Sequence, residues 1–246
     1  MKKIVATIEA RMTSSRLPGK VLLEAAGIPM MEHLVRRLKA VKSLDQIVLA
    51  TTINREDLPL IKLAKELNIN YFCGSEEDVM QRVIGAGDSV NADLIVEITG
   101  DCPIIDPGIV EQTIQMFKVH NADYVSNAII DSYPDGMCTQ VFRLDTLKRS
   151  EKMTNDPLDR EHVTLHIRKN PKLFNHVHLV APPEIHWPGL GLTLDELSDY
   201  KLIKKVIEYF VNNKNPLFSC ADVVSLFRQY PEYLEINKDV VRKRYI

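Results

Sequence analysis

Apolar residues along this chain follow two alternating rhythms. Ile4-Val5-Ala6-Thr7-Ile8 is a short apolar run of the kind a buried strand makes. Met31, Leu34, Val35, Leu38 and Val41 then recur at helical spacing, and Ile47 to Ala50 return to a strand-like run. The stripe Leu60, Ile61, Ala64 and Leu67 precedes Tyr71-Phe72, and Val79, Val83, Ala86 and Val90 precede the run Leu94 to Thr99. A fourth helical stripe, Val110, Ile114 and Phe117, leads into Tyr124-Val125. Such strand-helix-strand repetition predicts an α/β fold, a mainly parallel sheet with helices on both faces.

Beyond about residue 130 the rhythm changes. Thr139 to Phe142 predict a strand, Glu161 to Lys169 a helix and His176 to Val180 another strand. Together they predict an inserted β-rich subregion with antiparallel character, covering about 130–180. Leu192-Thr193-Leu194 then predicts a return to the sheet. A helix follows with Leu202, Ile203, Val206 and Phe210, and another is capped by Ser219 with Asp222 three residues on. No linker or low-complexity stretch divides the chain, so residues 1–246 are expected to form a single domain.

Candidate chemistry begins where the first strand ends. Ala10 to Lys20 place Arg11, Arg16 and Lys20 in one loop, with no acid among them and with serines, a threonine and Pro-Gly between. Free backbone amides and three cations suit a polyphosphate. The Walker A pattern is absent, because Lys20 is followed by Val21. Ligands of an open parallel sheet sit beyond the carboxyl ends of its strands. There Asp101 follows the strand ending at Thr99, and Asp195 follows Leu194. Two carboxylates facing a polyphosphate loop are the donor set of a magnesium-nucleotide site, although an acid after a strand also caps helices. Gly100 suits a close backbone approach, and Cys102 has no neighbouring base that would make it a nucleophile. His162 is either a substrate contact or base, or a satisfied histidine on a helix face. Trp187 belongs either to the core or to a pocket wall.

Bulk properties narrow the class. A chain of 246 residues, 45% apolar and 26% charged with a formal charge of −2, is that of an ordinary globular protein and argues against a surface that coats nucleic acid. Four scattered cysteines, none in a Cys-x-x-Cys pair, point to reduced thiols in the cytoplasm rather than to structural zinc. No apolar run approaches a membrane span, and the N-terminus is too short for a signal peptide.

Taken together, these blocks resemble a known family. Ala-Arg-x-x-Ser-x-Arg-Leu-Pro-Gly-Lys after the first strand is similar to the signature of cytidylyltransferases that activate acidic sugars as CMP conjugates. The similarity is strongest to the SpsF-like branch associated with surface and spore-coat polysaccharides. It extends through Ala50-Thr51-Thr52, Gly74 to Val79, Ile98 to Pro103, Asp123 to Asn127, Arg160 to Thr164 and Leu192 to Asp195. The resemblance implies a Rossmann-like nucleotidyltransferase fold of GT-A type, with CTP bound by Ala10, Arg11, Ser14, Arg16, Gly19, Lys20, Thr52, Gly74, Ser75, Gly100 and Asp101. Arg11, Arg16, Lys20 and Asp101 are implied in catalysis, Asp101 and Asp195 as Mg²⁺ ligands, and Gly136, Cys138, Gln140, Arg160 and His162 as the wall for a small acidic acceptor. A homodimer formed through the inserted subregion is also implied.

One block departs from the branch. Gly136-Met137-Cys138-Thr139-Gln140 stands where a Gly-Leu-Asp-Val-Glu-like stretch is common. With two acids gone, this wall is expected to be less repulsive to an anion, so a phosphorylated small acid joins the acidic sugars as an expected acceptor. The competing readings are a nucleotide-sugar glycosyltransferase, which usually shows an Asp-x-Asp motif missing here, and a catalytically silent nucleotide-binding subunit.

Overall fold

The computed structural model describes residues 2–242. Its central sheet is built from β1 (Ile4–Glu9), β4 (Gln46–Thr52), β5 (Asn70–Gly74), β6 (Leu94–Thr99), β7 (Tyr124–Ser126), β8 (Gln140–Arg143) and β9 (His176–His178). The two-residue strands β2 (Glu24–Ala25) and β3 (Ile28–Pro29) form a separate hairpin after the first loop. The sheet order is β5-β4-β1-β6-β8-β7-β9, and β8 is the strand that runs against its neighbours. The helices are α1 (Met30–Lys39), α2 (Leu58–Glu66), α3 (Val79–Ser89), α4 (Pro107–Val119), α5 (Leu144–Glu151), α6 (Pro157–Glu161), α7 (Leu165–Lys169), α8 (Leu197–Asn212) and α9 (Cys220–Gln229). Among the described residues, no helix is long and apolar enough to cross a membrane.

Strand alternation divides the core into two layers. Ala6, Ile8, Leu49, Val96 and Val141 pack with apolar residues of α1, α2, α4, α8 and α9. Val5, Val48, Ile95 and Phe142 pack with those of α3, α5 and α7. On this second face the character changes along the strands. The register pairs Ile95 with Phe142 and Glu97 with Gln140, while Thr7 pairs with Glu97 and Glu9 with Thr99. An apolar half thus gives way to a polar half toward the carboxyl edge of β1 and β6, because successive residues on one face are two apart.

The helix starts follow local chemistry. Asp78 caps α3 by accepting the Gln81 amide at 2.9 Å, and Asp106 caps α4 by accepting the Gly108 amide at 2.7 Å. The Ser219–Asp222 capping box at α9 forms as its spacing predicts.

Three expectations are corrected. The stretch 130–180 does not make a β-rich insertion of its own: β8 and β9 join the one central sheet, and α5, α6 and α7 lie between them. The helix expected over Glu161 to Lys169 is broken into α6 and α7, with Val163 at φ 39° between them. A β-branched residue in that left-handed region cannot continue a helix, and the break turns His162 and Val163 inward. Finally, Leu192 to Leu194 is a buried extended segment rather than a sheet strand. Its amides bond loops instead of a strand edge: Leu192 donates to the Asp135 carbonyl at 2.9 Å and Leu194 to the Asp101 carbonyl at 2.8 Å.

Candidate active site

The loop from Ala10 to Lys20 leaves β1 at the carboxyl edge and is pinned at several points. The Met12 amide donates to Asp57 Oδ1 at 2.7 Å, and the Gly19 amide to the Met12 carbonyl at 2.9 Å. Gly19 has φ 70°, a conformation that favours glycine. Thr13 Oγ1 donates to Glu76 Oε1 at 2.8 Å, and Arg11 pairs with the same oxygen at 3.1 Å. Hydrogen bonds from Thr13 and Asn54 hold the Glu76 carboxyl below its ordinary range.

The far end of the loop meets two acids. Lys20 Nζ lies 3.0 Å from Asp195 Oδ1 and 3.8 Å from Asp101 Oδ2, and Arg16 Nη2 lies 2.8 Å from Asp195 Oδ1. Thr99 Oγ1 donates to Asp101 Oδ1 at 2.6 Å. The Leu194 bond to the Asp101 carbonyl ties the two acid-bearing segments together, and the amides of Asp195 and Glu196 donate to buried Asp199 at the start of α8. Four charges from three distant stretches of sequence therefore share one corner of the sheet.

This cluster opens into a cavity of about 710 Å³, within the range of small-ligand sites. Ala10, Arg11, Ser14, Arg16, Lys20, Gly100, Asp101 and Asp195 line it. Gly100 serves a second purpose, because a Cβ there would come within 2.8 Å of the Glu9 carbonyl oxygen. The remaining residues expected at the nucleotide act behind the wall. Thr52 donates its hydroxyl to Asp57 Oδ2 at 2.5 Å and its amide at 3.1 Å, and Ser75 Oγ accepts the Asp78 amide. A Cβ on Gly74 would press on Arg82 and Phe72, and Gly19 shapes the loop from outside the lining.

Of the five residues expected at the acceptor, Gln140 and His162 line the cavity. Burial lowers the His162 pKa, which favours the neutral ring. The other three lie outside the cavity lining. Gly136, at φ 95°, packs where a Cβ would fall 2.7 Å from the Leu192 backbone. Cys138 is half-buried outside the lining, and burial pushes its thiol up to about 12. Arg160 joins α6 to the start of α3 through Asp78 and to Glu151 at 3.2 Å. Trp187 packs against the larger core cluster, away from the cavity lining.

The cavity nevertheless has carboxyls on this side, since Glu9 and Glu97 line it from β1 and β6. Gln140 Nε2 donates to Glu97 Oε2 at 2.9 Å, while its Oε1 accepts Tyr124 Oη at 2.5 Å and Thr164 Oγ1 at 2.7 Å. Neither oxygen of Glu9 has a hydrogen-bond partner, and both are sealed from solvent. Burial raises the Glu97 carboxyl to about 7; burial and then the neighbouring Glu97 charge raise Glu9 well above its ordinary range. Arg82 from α3 and Arg168 from α7 complete the polar lining. The sequence reading gave Glu9, Glu97, Asp57, Arg82 and Arg168 no role at the site. For Glu9 and Glu97 a signal was available: acids inside otherwise apolar strands require a reason to be buried.

A larger groove of about 1000 Å³ lies at the opposite, amino-terminal edge, between Lys2, Lys42, Lys118 and Arg143. It has neither the loop nor the acid pair, so size does not identify the site.

Fold and site together define an α/β nucleotidyltransferase, with its polar cavity at the carboxyl edge of a mainly parallel sheet. The chain belongs to the cytidylyltransferase family, which it matches over residues 5–206, and is a CTP-dependent nucleotidyltransferase. It is 35% identical over 247 residues to an uncharacterised protein of Methanocaldococcus jannaschii, covering 99% of this chain and 98% of that one. It is 32% identical over 237 residues to the spore coat polysaccharide biosynthesis protein SpsF of Bacillus subtilis, covering 94% and 97%. Half of the chain is 33% identical to half of the 8-amino-3,8-dideoxy-manno-octulosonate cytidylyltransferase of Shewanella frigidimarina. A cytidylyltransferase structure from Leptospira borgpetersenii superposes with a TM-score of 0.90 at 28% identity, covering 99% of this chain and 100% of that one. The CMP:2-keto-3-deoxy-manno-octonic acid synthetase complexed with CTP shares the fold, with a TM-score of 0.64 at 18% identity over 85% and 99%. The glycosyltransferase and silent-subunit readings give way to this family.

Proposed function

We propose that this enzyme transfers CMP from CTP to a sugar acid, releasing pyrophosphate, with Mg²⁺ as cofactor, in cytoplasmic assembly of a polysaccharide. The observation that carries the reading is the meeting of Arg16 and Lys20 with Asp101 and Asp195 at the mouth of a polar cavity. SpsF by its name, and the two named sugar-acid enzymes by theirs, support the acceptor class and the pathway.

The donor set fits Mg²⁺ with a nucleotide better than an all-protein metal site. Among the described residues no group of three or more His, Cys, Asp or Glu side chains could hold a metal. Two carboxylates within reach of one ammonium do suit an ion that takes one or two carboxylates plus phosphate oxygens. Asp101 and Asp195 would hold it, and when bound it supplies charge stabilisation at the α-phosphate and the leaving pyrophosphate. The two cations and two acids cancel on their own, so a divalent cation leaves the corner net positive and matched to a triphosphate. Arg16, Lys20 and Arg11 then orient the triphosphate for in-line attack by an acceptor oxygen, a reaction governed by positioning and electrostatics. Arg168 in the other half of the cavity supplies a cation for the acceptor carboxylate.

The test is a pyrophosphate-release assay with Mg²⁺ and each of the four NTPs. Its acceptors are eight- and nine-carbon 2-keto-3-deoxy sugar acids and phosphorylated small acids. Release with CTP and a sugar acid is expected, and Lys20→Ala should lower kcat on the order of a hundredfold, ~3 kcal/mol in the barrier. Turnover confined to phosphorylated small acids, or wild-type turnover in Lys20→Ala, contradicts the proposal. A homodimer through residues 130–180 belongs to the same reading. Ile130, Met153, Leu158, Leu173 and Val180, five of the twelve exposed large apolar side chains among the described residues, lie there.

A further inference from the structure

We infer that the C-terminal segment braces the acid corner: Asn237 and Arg242, acting through Asp199, are positioning residues that hold Asp195 in place for a magnesium nucleotide. The inference rests on the CMP-transfer reading above, in which Asp195 helps to hold the ion.

The anchor is a carboxylate shut away from water. Asp199 is fully buried at the start of α8. Its Oδ2 accepts the amides of Asp195 at 3.2 Å and Glu196 at 2.9 Å. Its Oδ1 accepts Asn237 Nδ2 at 2.8 Å and Arg242 Nη2 at 2.7 Å. One oxygen fixes the backbone that carries Asp195, and the other is held by residues 38 and 43 positions further along the chain. A buried carboxylate is stable only when its oxygens are paired and its charge is met, and Arg242 is the cation that meets it.

The same two side chains grip the stretch ahead of Asp195, which lies outside the sheet. Asn237 Nδ2 also donates to the Gly191 carbonyl at 3.0 Å. Arg242 Nε donates to Thr193 Oγ1 at 3.3 Å and lies 3.4 Å from Asp135 Oδ2. The guanidinium sits so close over Gly191 that a Cβ there would collide with it. Together with the Leu192 and Leu194 bonds to the Asp135 and Asp101 carbonyls, these contacts fix the extended segment from several directions. What they fix is a carboxylate 3.0 Å from Lys20 and 2.8 Å from Arg16. Mg²⁺ demands near-ideal geometry, and a misplacement of ~1 Å at a reacting centre costs roughly a hundredfold in rate. Asp199, Asn237 and Arg242 do not line the cavity, so their effect on a nucleotide passes through Asp195.

The experiment uses the full-length enzyme with Arg242→Ala and Gly191→Ala, which remove or displace the same guanidinium by different routes. Lys238→Ala, whose ammonium pairs with Glu235 on the exposed side of the segment, is the control. Calorimetry gives the affinity for CTP with and without Mg²⁺, and pyrophosphate release gives KM for CTP and for the acceptor. In each brace variant the gain in CTP affinity on adding Mg²⁺ should fall about tenfold or more, with KM for CTP rising and acceptor KM within about twofold of wild type. Lys238→Ala should match wild type throughout. Thermal unfolding of each variant confirms that it folds, and where one brace variant does not, the other carries the test. A folded brace variant that keeps more than about a tenth of the Mg²⁺ gain overturns the inference, even with a lowered Tm, because residues serving stability alone behave that way. Loss of the gain in Lys238→Ala overturns it too, and in both cases the CMP-transfer reading stands. If the wild type shows no Mg²⁺ gain, or Asp195→Asn keeps it together with full turnover, the metal role of Asp195 fails and the brace with it.

Discussion

Burial raises the Glu97 carboxyl from its ordinary 4.5 to about 7, against a smaller opposing pull from Arg168. A folded-state value above the unfolded one means that the native protein holds this proton more tightly. The stabilising contribution is therefore complete below about pH 4.5 and is lost as pH rises through about 7. The groups beside this carboxyl are Glu9 and Thr7 on β1, Gln140 on β8 and Arg168 on α7, and among them only Glu9 adds negative charge. Glu97→Gln keeps the shape and removes the titration. Its stability relative to wild type should climb by on the order of 2–3 kcal/mol between pH 5 and pH 8. Urea unfolding across that range measures it, and a difference that stays flat with pH removes Glu97 as a buried titrating group.

At the scale of elements, the cationic loop after β1 depends on a residue outside it. Asp57, fully buried just before α2, accepts the Met12 amide, the Thr51 hydroxyl and both the amide and hydroxyl of Thr52. One carboxylate thereby joins the end of β4 to the start of the loop after β1. Asp57→Ala leaves those buried donors unpaired, which should cost about 2–4 kcal/mol of stability. KM for CTP should rise at the same time, because the loop loses its anchor. Unfolding and steady-state kinetics on the same preparation separate the two effects. An unchanged KM for CTP would make the loop self-supporting.

At the scale of the whole molecule, one sheet carries two differently lined halves of a single cavity at its carboxyl edge. The β1 loop with Asp101 and Asp195 makes a charged corner, and β8 with the α6–α7 break closes the other half of the cavity around Gln140 and His162. The exposed apolar residues of 130–180 lie on this same added region. Light scattering is expected to give twice the chain mass of 28.0 kDa, and Leu173→Asp combined with Val180→Asp should shift it to the monomer. A monomeric wild type at micromolar concentration overturns the dimer.

The sequence by itself determined the alternation of strands and helices through Val125, the cationic loop after the first strand and the two acids, Asp101 and Asp195, that meet it. Each of these is written in a local pattern: a period of two or 3.6, a cluster of cations, or an acid beside a turn glycine. It did not determine how the residues beyond 130 are used. Whether β8 enters the sheet between β6 and β7 depends on pairing with strands far away in the chain, and no local period encodes that. That Cys138 and Arg160 lie outside the cavity lining is hidden from the sequence for the same reason, because residue type does not say whether a side chain faces a cavity or a neighbouring helix. Glu9 and Glu97 show the division most plainly. Both acids are visible in the sequence as interruptions of apolar strands. That they stand on one face, with both Glu9 oxygens sealed from water and unpartnered, was decided by the register of β1 against β6 and by the helices that cover them.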